Sequence, residues 1–228
     1  SLKIAGIHQQ DPDAFRTTRD TVDSGAAGDP NKLRGMMGTK GQFAINSRWD
    51  FGWDIMLQSD KNFARTYNID GFNDYVHRSE VYLTGLNDRN YLDLRGMKFE
   101  VQENLLDTHP RARNDEQPWV LPSFDYAYIP DTPLAGGQLS VNLNARAIHR
   151  SSLDTADSLT NPGFFESVRG IEGESGRLTA EAEWKRSFVT DGGMVFTPLL
   201  AFQADGNFVN ASSASLATIM SALYFSVL

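Results

Sequence analysis

The clearest pattern along the chain has a period of two. Between Arg48 and Gln58, Trp49, Phe51, Trp53, Ile55 and Leu57 take one set of alternate positions, and Arg48, Asp50, Gly52, Asp54, Met56 and Gln58 take the other. Successive side chains of a β-strand point to opposite faces, so this spacing predicts a strand with one apolar and one polar face. A helix would scatter the same aromatics around its circumference. The alternation recurs. Leu139, Val141, Leu143, Ala145 and Ala147 alternate with Ser140, Asn142, Asn144 and Arg146, and Leu178, Ala180, Ala182 and Trp184 with Thr179, Glu181, Glu183 and Lys185. Leu33, Met37, Phe43 and Ile45 stand against Arg34, Lys40, Gln42 and Asn46, and Val81 and Leu83 against Glu80, Tyr82 and Thr84. Near Tyr91, Leu92 and Leu94 share a face, then the apolar phase moves to Met97, Phe99 and Val101. A bulge near Gly96 accounts for that shift. The stretches near Ser1 and Val195 alternate poorly. Ala211 to Leu228 fits helical spacing through Leu216, Ile219, Met220 and Leu223, and strand spacing through Tyr224, Phe225 and Val227. The pattern predicts about nine strands, or ten with that last stretch.

The segments between these strands alternate in length. Long polar connections run from Asp11 to Asn31, Ser59 to Val76, Gln102 to Pro118 and Arg150 to Gly176. Short ones fall at Asn46 to Arg48, Asn87 to Asn90, Pro130 to Gly136 and Thr190 to Gly193, the last containing Asp191-Gly192-Gly193, residues tolerant of positive φ. In an up-and-down antiparallel meander every second connection lies on the same rim. Outer-membrane barrels carry short turns on one rim and long loops on the other. A soluble sheet with one wet face also alternates, but it has no reason to sort its connections by parity. Strand length points the same way. Several predicted strands run to about ten residues, near the ~9–11 that cross a bilayer at a tilt and above the five or six or so of soluble sheets. The expected fold is all-β, an antiparallel up-and-down meander forming part of a large transmembrane outer-membrane β-barrel, with residues 1–228 as one barrel segment.

Composition agrees. Hydrophobic residues make up 40% of 228, and no run approaches the ~18 apolar residues of a transmembrane helix. The net charge of −8 argues against a nucleic-acid partner, and the absence of cysteine removes disulfides and thiolate metal sites from this stretch. Ser1-Leu2-Lys3-Ile4 lacks the form of a signal peptide.

If the strands line a wide wet passage, Asp50, Asp54, Asp93, Arg95, Asn142, Asn144, Arg146, Glu181, Glu183 and Lys185 face its lumen. Whole charges on that face argue for water beside them, because a packed interior penalises an unpaired charge. Trp49, Phe51, Trp53, Leu143 and Trp184 then face lipid, and the tryptophans are candidates for the interfacial aromatic belts. No catalytic or metal chemistry emerges. His8, His77, His109 and His149 are scattered without ligand spacing. Asp11-Pro12-Asp13 and Asp157 lack the spacing of a calcium loop. The run Gly35-Met36-Met37-Gly38-Thr39-Lys40-Gly41 superficially suggests a phosphate loop, but it sits inside a strand pattern where small residues ease curvature. Glu181 and Glu183 share a face, yet no other catalytic group accompanies them, so a solvated wall is the better reading. Asp93 and Arg95 are placed for an ion pair across one pleat. No cofactor and no enzymatic activity are expected.

Particular stretches resemble the LptD family of lipopolysaccharide-assembly barrels, also known as the organic solvent tolerance proteins. SEVYLTGLNDRNYLDLRGMKF, from Ser79 to Phe99, is similar to paired strands of that barrel through Tyr82, Gly85, Asp88, Arg89, Tyr91, Asp93 and Arg95. LPSFDYAY at Leu121 to Tyr128 and LAGGQLSV at Leu134 to Val141 resemble the segments that follow it. RLTAEAEWKRSF and VFTPLLAFQAD, within Arg177 to Ala204 and its neighbours, resemble a later hairpin in the style of alphaproteobacterial members. The likeness runs roughly from Leu33 to Asp205. It implies an outer-membrane location, lipopolysaccharide and outer-membrane lipid as partners, an LptE-type plug lipoprotein in the lumen, and a periplasmic LptA bridge reached through parts outside this chain. The chain lacks the family's jelly-roll domain, its cysteines, its full strand count and a terminal aromatic at Leu228, and so reads as an internal fragment. The alternatives are a complete small outer-membrane pore or surface protein, and a soluble carbohydrate-binding sheet using Trp49 and Trp53 as platforms.

Overall fold

A computed structural model of the chain describes residues 1–10, 33–60, 63–102, 116–157, 165–211 and 222–227. In chain order the strands are β1 (Leu2–His8), β2 (Leu33–Asn46), β3 (Trp49–Gln58), β4 (Val76–Asn87), β5 (Asn90–Val101), β6 (Trp119–Tyr128), β7 (Gln138–Arg150), β8 (Asp154–Asp157), β9 (Phe165–Gly170), β10 (Gly173–Lys185), β11 (Phe188–Val189), β12 (Val195–Phe196), β13 (Leu199–Ala211) and β14 (Ala222–Val227). One short helix, α1 (Phe63–Thr66), lies between β3 and β4. Ten strands form one sheet in the order β1-β2-β3-β4-β5-β6-β7-β10-β13-β14, each antiparallel to its neighbours. β8 with β9, and β11 with β12, are separate two-stranded hairpins set into connections. The sheet is open: β1 and β14 are its two edges.

The parity of the connections holds. Residues 47–48, 88–89, 129–137 and 186–198 link strands at one rim, and residues 9–32, 59–75, 102–118, 151–172 and 212–221 at the other. One short connection differs from the expectation. The link after β10 runs from residue 186 to 198 and carries β11 and β12 as a narrow continuation of the hairpin. Its tight turn is where the glycines placed it, with Gly193 at φ +79° and its N–H donated to the Thr190 carbonyl at 2.9 Å. The poorly alternating start forms β1 all the same, because its backbone groups pair along β2 from Leu2↔Thr39 to His8↔Leu33. Of Ala211 to Leu228, Ala211 ends β13 and Ala222–Val227 form β14, paired with β13; the helical spacing at Leu216 to Met220 lies outside the described residues, as do Asp11-Pro12-Asp13 and His109.

The bulge expected in β5 near Gly96 is not there: β5 keeps register with β4 through Val81↔Gly96 and Glu80↔Met97, and the extra residue lies across from Gly96, in β6. Leu121 and Pro122 together stand opposite Gly96 of β5 and Ala147 of β7, and Pro122 has no N–H to give to the ladder. Away from this bulge and a shift between Ala44 and Asn46 the register is continuous, and directly opposed residues share a face. One row runs Phe43, Phe51, Leu83, Leu94, Phe124, Ala145, Leu178, Gly206 and is wholly apolar or glycine. The adjacent row, displaced by one residue, runs Ala44, Asp50, Thr84, Asp93, Asp125, Asn144, Thr179, Asp205. The sheet therefore has one apolar and one polar face across most of its width.

Glycines on the apolar face seat large rings. Trp53 lies across Gly41, where an added Cβ would stand 2.3 Å from the ring, and Trp49 lies across Gly85. In the glycine run of β2 this accounts for Gly41, while Gly38 takes the Phe72 ring on the other face and Gly35 lies against the Ala5 backbone.

The buried core is not on the apolar face. Ile4, Phe43, Leu57, Leu121 and Leu178 on that face are each more than half exposed. The core comprises Met36, Met56, Phe63, Ala64 and Phe72, with Ala5, Ile7 and Ile69 against it. Met36 and Met56 belong to the polar-face set of β2 and β3, so the 59–75 connection folds back over the polar face at the long-connection end. In a soluble sheet with one wet face the apolar side would be the covered one.

Candidate functional site

The polar face carries an acidic row beside a basic one. Asp50, Asp93, Asp125 and Asp205 lie in the row given above. Two residues along each strand the next row holds Tyr82, Arg95, Ser123, Arg146, Arg177 and Asn207. Same-face neighbours on a strand are two residues apart, so acid and base meet without leaving the strand. Arg95 grips Asp93 with both Nε, at 2.6 Å, and Nη2, at 2.7 Å. Its Nη1 reaches Glu80 at 3.4 Å and its guanidinium lies 5.1 Å from the Tyr82 ring centroid. The Tyr91 hydroxyl donates to Asp93 at 2.9 Å. Toward the far edge Asp205 accepts from Thr179 Oγ1 at 2.6 Å, Arg177 Nη2 at 2.7 Å and Gln203 Nε2 at 2.9 Å. Asn144 donates its side-chain amide to Asp125. Such pairing lowers the cost of holding charges beside a wall of low dielectric.

Between these rows and the short-turn rim the face opens into two hollows. One of about 230 Å³ is lined by Tyr91, Asp125, Asn142, Asn144, Thr179 and Glu181. The other, of about 300 Å³, is lined by Ser140, Asn142, Glu181, Glu183 and Gln203 among others. Their polar groups are carboxylates, amides and hydroxyls, which offer acceptors and donors in mixture.

All ten polar residues singled out from sequence fall on this face. Asp50, Asp93, Arg95, Asn142, Asn144, Arg146, Glu181, Glu183 and Lys185 are linked by the continuous register from β3 to β10. Asp54 stands opposite Lys40 and Glu80. Asp54 is bridged to Lys40 at 2.7 Å and lies 3.4 Å from the buried His77 Nε2, and Lys185 reaches Glu183 at 3.3 Å. Trp49, Phe51, Trp53, Leu143 and Trp184 all fall on the apolar face. Trp49 and Trp184 stand near strand ends, whereas Trp53 sits mid-strand with its indole N–H donated to Thr39 Oγ1 at 3.1 Å. Asp125, Arg177, Gln203 and Asp205 belong to the polar rows but were not singled out from sequence. The signal was there, since Phe124, Tyr126 and Tyr128 alternate with Asp125, and Phe202 and Ala204 with Gln203 and Asp205.

The long-connection end of this face is closed by the 59–75 segment. Arg34 Nε and Nη2 each donate to Asp60 at 2.8 Å, and both side chains are buried. The Arg34 guanidinium also lies 5.7 Å from the Phe63 ring centroid and 6.0 Å from that of Tyr67. Phe72 presses on Gly38, where an added Cβ would stand 2.4 Å from the ring, and Lys40 Nζ lies 4.7 Å from the Phe72 centroid. Lys3 of β1 pairs with Asp70 at 3.0 Å. Gln102 is fully buried and ties the segment to the end of β5: Oε1 accepts from Arg65 N at 3.1 Å, and Nε2 donates to the Phe72 and Asp74 carbonyls. Gln102→Leu keeps the bulk and strands those backbone groups. It is expected to cost about 1–3 kcal/mol, read as faster amide exchange at Arg65 and through residues 63–75.

Among the described residues no helix is long and apolar enough to cross a membrane, which says nothing of strands, and no cluster of metal-ligating side chains occurs. A search of curated proteins finds no match to the chain. Residues 32–215 match the family described as LptD, LPS transport system D. That span takes in β2 through β13 with both faces of the sheet, and the chain belongs to the LptD family of lipopolysaccharide transport and assembly proteins of the outer membrane.

Proposed function

We propose that this chain is a stretch of barrel wall, residues 1–228 forming one segment, whose apolar face meets outer-membrane lipid and whose polar face lines an aqueous lumen passed by the saccharide part of lipopolysaccharide. The observation that carries the reading is the separation of faces, an apolar row beside a polar one from β2 to β13, with the apolar side left uncovered. Uncovered apolar surface of this extent is unfavourable in water and favourable in hydrocarbon. The polar hollows suit a polyhydroxylated ligand, because each carboxylate, amide and hydroxyl can trade a water for a sugar hydroxyl at little net cost. An LptE-type plug would rest against this same polar face, and a periplasmic LptA bridge would act through parts outside this chain. The role is passage rather than chemistry.

The stretch contains no cysteine, so once the cysteines elsewhere in the full-length protein are replaced by serine, single cysteines can report on each face. Cysteines at Asn142, Asn144 and Arg146 should react with a charged, membrane-impermeant maleimide. Those at Val141, Leu143 and Ala145 should react only with a lipid-soluble one. A photoreactive side chain at Asn144 should capture lipopolysaccharide during export. Uniform labelling along β7 overturns the face assignment, and alternating labelling without capture at Asn144 overturns the passage of sugar alone.

A further inference from the structure

The apolar face has a feature that barrel wall alone does not require. A row near the long-connection rim changes character: Ser79, Lys98, Trp119, His149, Glu174 and Asn210 stand side by side in register. Lys98, Trp119 and His149 are consecutive in that row. Lys98 Nζ lies 5.1 Å from the Trp119 ring centroid and forms an ion pair with Glu100 at 2.7 Å, which uses one of its three N–H donors and leaves two over on the ammonium. Among the described residues the Trp119 indole N–H and the exposed His149 ring make no hydrogen bond. Glu174 beside His149 limits the basic stretch on that flank.

Beneath these three residues two apolar grooves flank the β6 bulge at Leu121-Pro122, which stands opposite Gly96 and Ala147. The first, about 340 Å³, is walled by Ile55, Leu57, Val81 and Leu121, and Gly96 leaves its floor low. The second, about 390 Å³, has a floor of Ala145, Ala147 and Gly206 between Pro122, Leu178 and Phe208. Leu121 and Pro122 form the ridge between them. Both lie in the half of the face nearer the long connections, which in outer-membrane barrels is the outer-leaflet half.

We propose that this is a resident lipid site on the outer wall, with acyl chains in the two grooves and an anionic headgroup phosphate on Lys98, Trp119 and His149. Two grooves under one cluster of donors fit a phosphorylated lipid with several chains. In the outer leaflet that lipid is the lipid A part of lipopolysaccharide. The site rests on the membrane-facing reading of the apolar face and is separate from the polar rows.

The test uses the full-length protein in detergent micelles, incubated with purified lipid A or with phosphatidylglycerol. Retained lipid is counted by native mass spectrometry after detergent exchange. Leu121→Trp fills the first groove, Lys98→Ala removes the ammonium, and Leu200→Trp is an apolar-face control at the other rim. Lys98→Ala is a surface truncation that leaves the ladder intact, so it keeps the test informative should Leu121→Trp fail to fold. Retention of lipid A should fall about tenfold in Lys98→Ala, as for loss of one charge-assisted hydrogen bond, fall at least as far in Leu121→Trp, and hold in Leu200→Trp. Undiminished retention in Lys98→Ala overturns the site, and so does equal retention of phosphatidylglycerol. Vesicle flotation separates this from the reading beneath it. If the wild-type protein does not float with vesicles, the membrane-facing assignment falls. If it floats while retention stays unchanged in the variants, only the lipid site falls.

Discussion

Phe51→Arg should lower the unfolding free energy of the membrane-inserted protein by about 2–4 kcal/mol, while Asp50→Asn, one position earlier, should leave it within about 0.5 kcal/mol. Phe51 stands in the apolar row between Phe43 and Leu83, with the Phe43 ring centroid 5.5 Å away and that of Trp53 5.9 Å away. A guanidinium there has no acceptor among its row neighbours and would carry its charge into hydrocarbon. Asp50 faces the other way and takes part in no ion pair or hydrogen bond among the described residues, so losing its charge removes a hydrated group and little else. Asp54 would be a poor control, because Lys40 and His77 both depend on it. Denaturant titration of the full-length protein refolded into micelles reads both values. Small and equal effects would mean that Phe51 sees water and would sink the lipid-facing assignment.

Asp60→Ala should be the most damaging single change at the long-connection end. It leaves Arg34 buried beside Phe63 and Tyr67 without its bidentate carboxylate. Removing one member of a buried pair costs about 3–5 kcal/mol. That cost is limited by the free energy of lifting the 59–75 segment off the polar face, since an opened segment lets Arg34 rehydrate. The expected result is therefore local: protease sensitivity between residues 59 and 75, and increased single-channel conductance in planar bilayers if the segment occupies the lumen. The paired change Arg34→Met with Asp60→Leu replaces the ions by apolar groups and should restore most of the lost protection. Protection unchanged in Asp60→Ala would show that the ion pair does not hold the segment down.

Much of this architecture was legible in the chain because strand periodicity is local. A side chain's face depends on whether its position is odd or even, so Trp49 and Asp50, or Leu143 and Asn144, were separable without coordinates. The parity of connection lengths was equally visible, whereas the phase change between Leu94 and Met97 misled: β5 runs through Gly96 in register and the extra residue is in β6, opposite it. Backbone pairing overrode pattern in β1, where poorly alternating residues still complete a ladder with β2. Asp125, Gln203 and Asp205 were within reach of the same odd-and-even argument and became prominent only through their partners.

Alternation told which residues share a face and supplied the family's recognisable stretches, since both reside in the order of residues along one strand. Contact across strands and loops is a different matter. That Phe63 and Phe72 would fold onto Met36 and Met56, that Gln102 would be sealed beneath them, that Asp54 would serve Lys40, and that two grooves would open beside Leu121-Pro122 all depend on register and on the path of a connection. Those quantities are set by free energies summed over groups far apart in the chain, and no local spacing encodes them.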